Sequence, residues 1–265
     1  MMRLFVEGIG LLGPGLDSWS ASRAMLAGAA AYVAVPTMLR ASDMLPAAER
    51  RRAGVPIKLA LTVGQEAFLH AGRETGTAST VFSSSGGDND NVHMISSTLA
   101  TAPREVSPTR FHNSVHNAAA GYWSIAAGSH EPSTSLCAHD ASFAAGLLES
   151  ATQVTIDDAV VMLVAYDHPY PEPLNAVRPI SAAFGMALIL TPRQTKKSLA
   201  SFEIDFVSGK TQESRMQDTG LETLRCGIPA ARGLPLLAAL ASGNATQINI
   251  AYFEDNYLNI RATPC

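Results

Sequence analysis

The sequence predicts a layered α/β fold, and three observations support this prediction. Segments typical of strands alternate with segments of helical periodicity, the pattern of helices packed on a sheet. The stretch AVVMLVAYD at residues 159–167 is almost entirely apolar, as expected of a strand covered on both faces. Apolar residues make up 47% of the 265 residues, enough for one large domain with a sizeable core.

The first half of the chain begins with an apolar strand at 4–11 that glycines interrupt. A helix follows, with Asp17 or Ser18 as its N-cap and Gly28 just beyond its end. Residues 56–72 have a helical apolar face and end on a glycine. The other elements expected here are a polar loop with a short helix at 37–53, a strand and glycine loop at 79–87, a helix at 88–101, a loop at 103–111 and a helix at 113–128.

The second half begins with a strand at 133–138, a helix at 141–155 and the apolar strand at 159–167. After it, the pattern predicts more strands and less helix. The remaining expected elements are strands at 184–192 and 200–209, an irregular polar stretch at 209–227, a short helix at 234–243 and a hairpin at 246–262 that turns at 254–256.

Composition excludes several classes of function. Charged residues are only 16%, the net charge is −4, and no basic cluster exceeds ERRR at 49–52, so we expect no nucleic-acid partner. The apolar start of the chain is interrupted by Glu7 and is interpreted as a strand rather than a signal sequence, and no apolar run has the length of a membrane helix. Three cysteines without metal-type spacing fit a reducing compartment, so we expect a cytoplasmic protein.

No motif predicts a cofactor or a metal. The loop SSSGGDNDN at 83–91 lacks the Lys-Ser/Thr of a phosphate-binding loop. Asp88 and Asp90 resemble calcium ligands, but the glycine and distal Glu of an EF-hand are missing, so a helix-capping turn is favoured. His112 and His116 are four residues apart without a third ligand, which favours a solvated or hydrogen-bonded pair.

The stretch STSLCAHDASFAAGLLESA, residues 133–151, predicts a strand that passes directly into a helix. Asp140 stands at the turn, where many enzymes hold a nucleophile. Asp is also among the best N-cap residues, because its carboxylate accepts from free N–H groups at the positive end of the helix. We therefore interpret Asp140 as a helix cap. His139 is adjacent and is expected to point elsewhere, so the two do not form a ready-made dyad.

Several short stretches lie at the spacings of one enzyme family. FVEGIGLLGPGLDSWSASRAMLAG matches V-T-G-x-G-x-x-S-P-x-G … W-x-x-L-x-x-G, and FSSSGG matches G-S-G-x-G-G. PREVSP and NAAAGYWSIAAGSHEPS match P-R-x-I-S-P and N-x-x-A-G-x-x-S-I-x-x-G-x-x-G-P-S. HDASFAAG falls on A-C-A-S-G/S and AVVMLVAYD on D-V-M-V-A-G-G. Over residues 1–207 the chain thus resembles the N-terminal half of the β-ketoacyl synthases, condensing enzymes of the thiolase-like superfamily.

The resemblance implies an α-β-α layered half of the thiolase/ketosynthase fold with a five-stranded mixed sheet. We expect a single domain over 1–265, with a core at 1–207. A C-terminal extension at 208–265 is expected to add a short helix and a hairpin.

The departures from the family decide the expected activity. In this register the family's nucleophilic Cys falls on Asp140, while Cys137 lies three residues earlier. Motifs like the family's two histidine motifs, G-T-x-T-x-x-G-D and T-G-H-x-x-G-A-A-G, do not occur here. Condensation needs a thiolate and assisting histidines. The resemblance therefore implies a non-catalytic chain length factor of the short type that serves aryl polyene pathways, which resemble type II polyketide and fatty-acid systems.

The family's dimer axis implies a partner and two surfaces. The strand before the nucleophile pairs there with its counterpart, which implies a heterodimer with a full-length β-ketoacyl synthase and an indirect relation to an acyl carrier protein. The dimer-interface candidates are Ser133, Thr134, Ser135, Leu136, Tyr122 and Trp123. The candidates for shaping the partner's acyl tunnel are Ser85, Asp88, Val92, Arg110, Phe111 and Val115.

Two other functions stay open at this point. One is a thiolase-like thioester hydrolase or decarboxylase that uses Asp140 with His139 or His116. The other is a homodimeric binding module for acyl groups. Assays of the protein alone separate the first from a chain length factor, and co-purification with a ketosynthase separates the second.

Overall fold

The computed structural model describes residues 1–39, 42–209 and 211–265, and positions 40–41 of the predicted loop at 37–53 fall outside this range. The described residues form one mixed sheet of eight strands in the order β3-β2-β4-β5-β1-β6-β8-β7. Strand β2 is parallel to β3 and β4, and the other neighbours are antiparallel. The strands are β1 Met2–Leu12, β2 Ser79–Ser83, β3 Ser133–Leu136, β4 Val161–Asp167, β5 Phe184–Thr191, β6 Ala200–Ser208, β7 Thr246–Ala251 and β8 Asn256–Pro264.

The predicted layered fold with a mixed sheet is confirmed, but the predicted number of five strands is wrong. The C-terminal hairpin belongs to the same sheet, because β8 pairs with β6 from Ala200 to Ser208. Its apolar side chains Ile248, Leu258 and Ile260 are buried in the core shared with the rest of the sheet. The hairpin thus covers an edge that β6 would otherwise expose.

Ten helices surround the sheet in the described residues, and three regions differ from the sequence prediction. The helix predicted at 113–128 begins only at Ala118, and a separate short helix begins at Pro108 inside the predicted loop. The stretch at 209–227 contains a helix capped by Asp218. A short helix between β4 and β5 was not predicted. The helices are α1 Trp19–Leu26, α2 Ala47–Arg52, α3 Val55–Ala71, α4 Asn89–Leu99, α5 Pro108–Asn113, α6 Ala118–Ala127, α7 Ser142–Ile156, α8 Leu174–Val177, α9 Thr219–Gly227 and α10 Leu234–Ser242.

Helices cover both faces of the sheet. On one face α3 and α6 pack together, and the rings of Phe68 and Trp123 stack with 5.7 Å between centroids. On the other face α1, α7 and α10 bury a second cluster that includes Phe143, Leu147 and Leu237. The sheet therefore lies between two hydrophobic layers, as an α-β-α fold requires.

Strand β1 depends on α3 for both packing and hydrogen bonds. A Cβ on Gly8 or Gly10 would collide with backbone carbonyl oxygens of α3, so these glycines allow the helix to lie directly on the strand. Strand β6 pairs with β1 only as far as Val6. Beyond it, Ile9 N–H donates to Nδ1 of His70 at 3.1 Å and Leu11 N–H to Glu66 at 2.8 Å. Two side chains of α3 thus replace the missing strand.

Candidate functional site

The turn between β3 and α7 is a short 3₁₀ helix at His139–Ala141. His139 has φ of 52°, in the left-handed region that non-glycine residues seldom adopt. The hydroxyl of Ser142 accepts from Ala138 N–H at 3.0 Å and donates to the His139 carbonyl at 2.7 Å. Ser142 therefore fixes this sharp turn. The turn exposes Asp140, the residue after His139, at the surface.

Asp140 is not the helix cap that the sequence predicts. The N-cap of α7 is Ala141, and no side chain caps this helix. The Asp140 carboxylate instead accepts from Arg178 at 3.0 Å and lies 3.8 Å from Arg232. The 3₁₀ turn explains the error, since it places Asp140 one residue before the N-cap and turns its side chain toward two arginines.

The ion pairs continue from Asp140 into the C-terminal part of the chain. Arg232 lies 3.5 Å from Glu213, which contacts Arg225 at 2.8 Å, and Arg225 also pairs with Glu222 at 2.8 Å. The bidentate contact with Arg225 lowers the pKa of Glu222 to about 2. Sequence reasoning missed this network, because its members are separated by up to 92 positions (140 to 232) and no motif connects them.

Strand β3 is the outer strand at one end of the sheet. Thr80 N–H donates to the Pro132 carbonyl and Ser84 N–H to the Leu136 carbonyl, so alternate residues of β3 face β2. The backbone N–H and carbonyl groups of Ser133 and Ser135 therefore point away from β2. Among the described residues, no backbone group pairs with them there. Thr134 and Leu136 are partly buried. The four predicted interface residues of β3 therefore lie on an open edge.

The other two interface candidates lie inside the chain. Tyr122 and Trp123 are only 2% and 1% exposed. Tyr122 donates its hydroxyl to Asn113 at 3.1 Å, and Trp123 stacks on Phe68. The prediction that these two side chains contact a partner does not fit their burial, because the Ala-rich helix α6 directs them into the core.

Two tunnel candidates hold the glycine loop in place. Ser85 donates its hydroxyl to Asp167 at 2.7 Å, and its N–H donates to the same oxygen at 2.8 Å. The other oxygen of Asp167 accepts from Ala230 N–H at 2.8 Å. Burial raises the pKa of Asp167. Asp88 caps α4 through Asn91 N–H at 3.1 Å, which confirms the predicted helix-capping turn, and burial raises its pKa also.

The other four tunnel candidates lie on α4, on α5 and just after α5. Val92, Phe111 and Val115 are 45%, 70% and 51% exposed. Arg110 reaches from α5 to Asn91 of α4 at 3.4 Å. Three exposed apolar side chains on adjoining segments give this surface the composition of a contact surface. We name Val92, Phe111 and Val115 the apolar patch.

Two histidines and one thiol lie near the turn. The Nε2 of His116 lies 3.3 Å from the Ser84 carbonyl, and the Nδ1 of His139 lies 3.6 Å from Asp140. The Sγ of Cys137 donates to the Ser85 carbonyl at 3.1 Å. The structure therefore does not bring His116 to Asp140 as the hydrolase hypothesis requires, and His139 is beyond hydrogen-bond distance.

One group of residues in the described part of the chain has metal-type ligands. Asp88, Asp90 and His168 place ligand atoms within 4.8 Å of one another. Both oxygens of Asp88 already accept hydrogen bonds from Asn91. His168 is distant in sequence from the two aspartates, so no spacing motif predicts the group.

Among the described residues, no helix combines the length and apolar character needed to cross a bilayer.

Comparison with solved structures identifies chains of the same fold. A chain of the structure titled "Ketosynthase (ApeO) in Complex with its Chain Length Factor (ApeC) from Xenorhabdus doucetiae" has a TM-score of 0.74 at 21% identity, covering 98% of this chain and 100% of that chain. A chain of "The ishigamide ketosynthase/chain length factor" has a TM-score of 0.74 at 13% identity, covering 100% and 99%. A type II polyketide synthase complex, titled as AntDE with the carrier protein AntF, contains a chain with a TM-score of 0.75 at 10% identity, covering 100% and 99%.

No curated protein is significantly similar to this chain in sequence. The profile of the family described as "Beta-ketoacyl synthase, N-terminal domain" matches residues 17–251. This match extends from α1 through β7 and includes the β3–α7 turn. The chain belongs to the β-ketoacyl synthase family, through its N-terminal domain.

Proposed function

We propose that this protein is a non-catalytic chain length factor subunit, which pairs with an active full-length β-ketoacyl synthase and shapes the synthase's acyl tunnel. The observation that carries the proposal is the β3–α7 turn. There an open edge strand leads to a carboxylate, Asp140, at the position where the family's motif has its nucleophilic Cys.

The surroundings of Asp140 support a subunit without its own condensation chemistry. A carboxylate is a poor acyl acceptor compared with a thiolate, and its acyl adduct is a labile anhydride. The carboxylate is also bound by Arg178 at 3.0 Å, and this charge-assisted contact holds it in that position. The nearby thiol of Cys137 donates to a carbonyl and stands outside the motif position.

The open edge of β3 supports pairing with another chain of the same fold. An unpaired edge strand is liable to aggregate unless a partner covers it. Antiparallel pairing of β3 with the corresponding strand of a ketosynthase would satisfy the outward groups of Ser133 and Ser135 and join two sheets. Such an obligate interface buries more than about 2,000 Å² in total.

The apolar patch supports contact with the partner's acyl tunnel. It lies on α4 and next to α5, and Asp88 fixes the first turn of α4 by capping it. Side chains on a helix held in this way can set the depth of a neighbouring cavity by their size. In this proposal Val92, Phe111 and Val115 are the main determinants, while Ser85, Asp88 and Arg110 hold the loop and the two helices.

The solved structures of similar fold support the pathway class. Two of them are described as a ketosynthase with a chain length factor, and the third as a type II polyketide acyl carrier protein with its ketosynthase. We place this chain in aryl polyene or a related type II polyketide-like biosynthesis in the cytoplasm. There it would act as a single domain over 1–265, with the carrier protein reaching it through the ketosynthase.

Co-expression with a ketosynthase encoded nearby tests the proposal. We expect a stable one-to-one complex by size exclusion with light scattering, and a poorly soluble or homodimeric chain when it is expressed alone. A ketosynthase from an unrelated fatty-acid pathway serves as the control partner and is expected not to bind. A stable monomer that binds no ketosynthase contradicts the proposal, as does malonyl-thioester decarboxylation or thioester hydrolysis by the chain alone.

A further inference from the structure

A polar cavity of about 220 Å³ opens beside Asp140, between the β3–α7 turn, α8 and the end of α9. A cavity needs only about 10–15 Å³ to hold one water, so this one has room for an ion of four or five heavy atoms together with water. Its charged lining residues are Asp140, Arg178 and Arg232.

The charges around this cavity are unevenly distributed. Away from it, the single guanidinium of Arg225 contacts two carboxylates, Glu213 and Glu222, each at 2.8 Å. At the cavity the reverse holds, since two guanidinium groups, Arg178 and Arg232, share the one carboxylate of Asp140. The three charged residues that line the cavity therefore carry one positive charge in excess, while Glu213, outside the lining, contacts Arg232 at 3.5 Å.

Arg232 is the less firmly held of these two arginines. Its contacts with Asp140 and Glu213 are 3.8 and 3.5 Å, longer than the 2.7–2.9 Å of a charge-assisted hydrogen bond. Arg178 contacts Asp140 at 3.0 Å. A guanidinium carries five N–H donors in a planar fork that fits two oxygens of one anion. Arg178 and Arg232 thus have N–H donors that Asp140 and Glu213 do not occupy. These donors can bind a ligand.

We propose that this cavity is a binding site for a small oxyanion, a phosphate or carboxylate group, held between Arg178 and Arg232. Asp140 forms one wall and repels the ligand, so its charge sets the affinity. The site is formed by one chain only, so it does not depend on the proposed pairing with a ketosynthase. Two sources fit this chemistry: a phosphate group and a small dicarboxylate of the malonate type.

Isothermal titration calorimetry on the full chain tests the proposal with inorganic phosphate and with malonate, at constant ionic strength set by sodium chloride. We expect at least one of the two to bind with a millimolar or lower dissociation constant. The stronger ligand identifies the source. Arg232→Gln and Arg178→Gln are expected to weaken that binding at least tenfold, and Asp140→Asn to strengthen it about threefold or more, because it removes the repelling charge.

The matched control is Arg193→Gln, which removes the same charge from an exposed ion pair with Asp158 outside the cavity. It is expected to leave the affinity unchanged. Thermal unfolding of every variant checks the fold, and Arg232→Lys, which keeps the charge but not the fork, is expected to bind between Arg232→Gln and the unchanged chain. Heat signals with phosphate and malonate no larger than with chloride overturn the proposal. It is equally overturned if Arg193→Gln weakens binding as much as Arg232→Gln, or if Asp140→Asn weakens it.

Discussion

The two edge strands of the sheet are treated differently by the rest of the chain. At one edge, β7 has a companion: Ser214 N–H donates to the Asn249 carbonyl at 2.9 Å, and Asn249 N–H donates to the Ser214 hydroxyl at 3.0 Å. At the other edge, β3 has backbone partners only on its β2 side among the described residues. Covering an edge is the usual protection against unwanted pairing. The chain thus covers β7 itself at Asn249 and leaves β3 uncovered, and β3 is the edge that we propose pairs with a partner.

Matched proline substitutions at the two edge strands are expected to give the largest difference in binding. Ser135→Pro removes an outward N–H from β3 without removing a hydrogen bond to β2. We expect it to weaken binding of the ketosynthase at least about 100-fold, about 2.7 kcal/mol. Gln247→Pro makes the same change on β7, where residue 247 is exposed. It is expected to leave binding unchanged, as measured by co-purification and by titration of the purified subunits.

Equal losses of binding from both prolines, with both variants folded, would mean that the difference between the edges has no role in assembly. Circular dichroism and thermal unfolding of each variant provide the necessary check on the fold.

The apolar patch provides a second test near this edge, because α4 follows directly after β2, the strand that pairs with β3. Val92→Phe and Val115→Phe place larger side chains on positions that are 45% and 51% exposed, so this chain has room for them. We expect the complex to make shorter products while condensation continues. Mass spectrometry of the products measures the change. Val33→Phe, at another exposed apolar position, is the matched control and is expected to leave product length unchanged.

Unchanged products from both Val92→Phe and Val115→Phe, in an intact complex, would place the wall of the tunnel elsewhere. A shift that Val33→Phe reproduces would point to a general effect of added bulk.

Asp140 is expected to give a smaller effect, since the proposed function gives it no part in the chemistry. Its side chain is half exposed, so its ion pairs contribute at most about 1 kcal/mol to stability. Asp140→Ala should lower the melting temperature by no more than about 2–4 °C, and Asp140→Asn by less. Product formation by either complex should stay within a few-fold of normal. A hundredfold loss for Asp140→Asn, about 2.7 kcal/mol of transition-state stabilisation, would make Asp140 part of the reaction.

His70, which accepts from strand β1 near the centre of the sheet, should make the stability of the fold depend weakly on pH. Burial lowers the pKa of His70, and the charge of Arg23 lowers it further. The unfolded state therefore takes up a proton first as pH falls below about 6.5, and the folded state loses stability until His70 is protonated too. Asn at position 70 can accept from Ile9 N–H without titrating. We expect the melting temperature of His70→Asn to fall less between pH 7.5 and 5.5 than that of the unchanged chain. An equal fall in both proteins would contradict this.

The sequence was sufficient for the elements with strong patterns and insufficient for contacts over long distances. Strand β4 and helix α3 were predictable because their apolar residues follow one clear pattern. The family motifs located the β3–α7 turn. The C-terminal hairpin was visible, but its place beside β6 was not, because pairing across 48 positions (208 to 256) leaves no local signal.

The candidate site shows the same limit. Asp140 fits a cap by its residue type, yet the 3₁₀ turn and the arginines at 178 and 232 determine what its carboxylate contacts. Tyr122 and Trp123 lie on a helix with little polar character, so no polar face distinguishes the side facing the core from a side facing an interface. Such positions depend on tertiary packing rather than on local preference.

Hydrogen–deuterium exchange on the chain, alone and with a ketosynthase, tests whether β3 is the edge that binds. We expect the peptide containing Ser133–Leu136 to exchange rapidly in the free chain and to become strongly protected in the complex. Peptides from Thr246–Ala251 should be protected equally in both states. Protection that appears at β7 and not at β3, or a β3 peptide that exchanges as rapidly in the complex as in the free chain, would contradict the claim that the open edge binds the synthase.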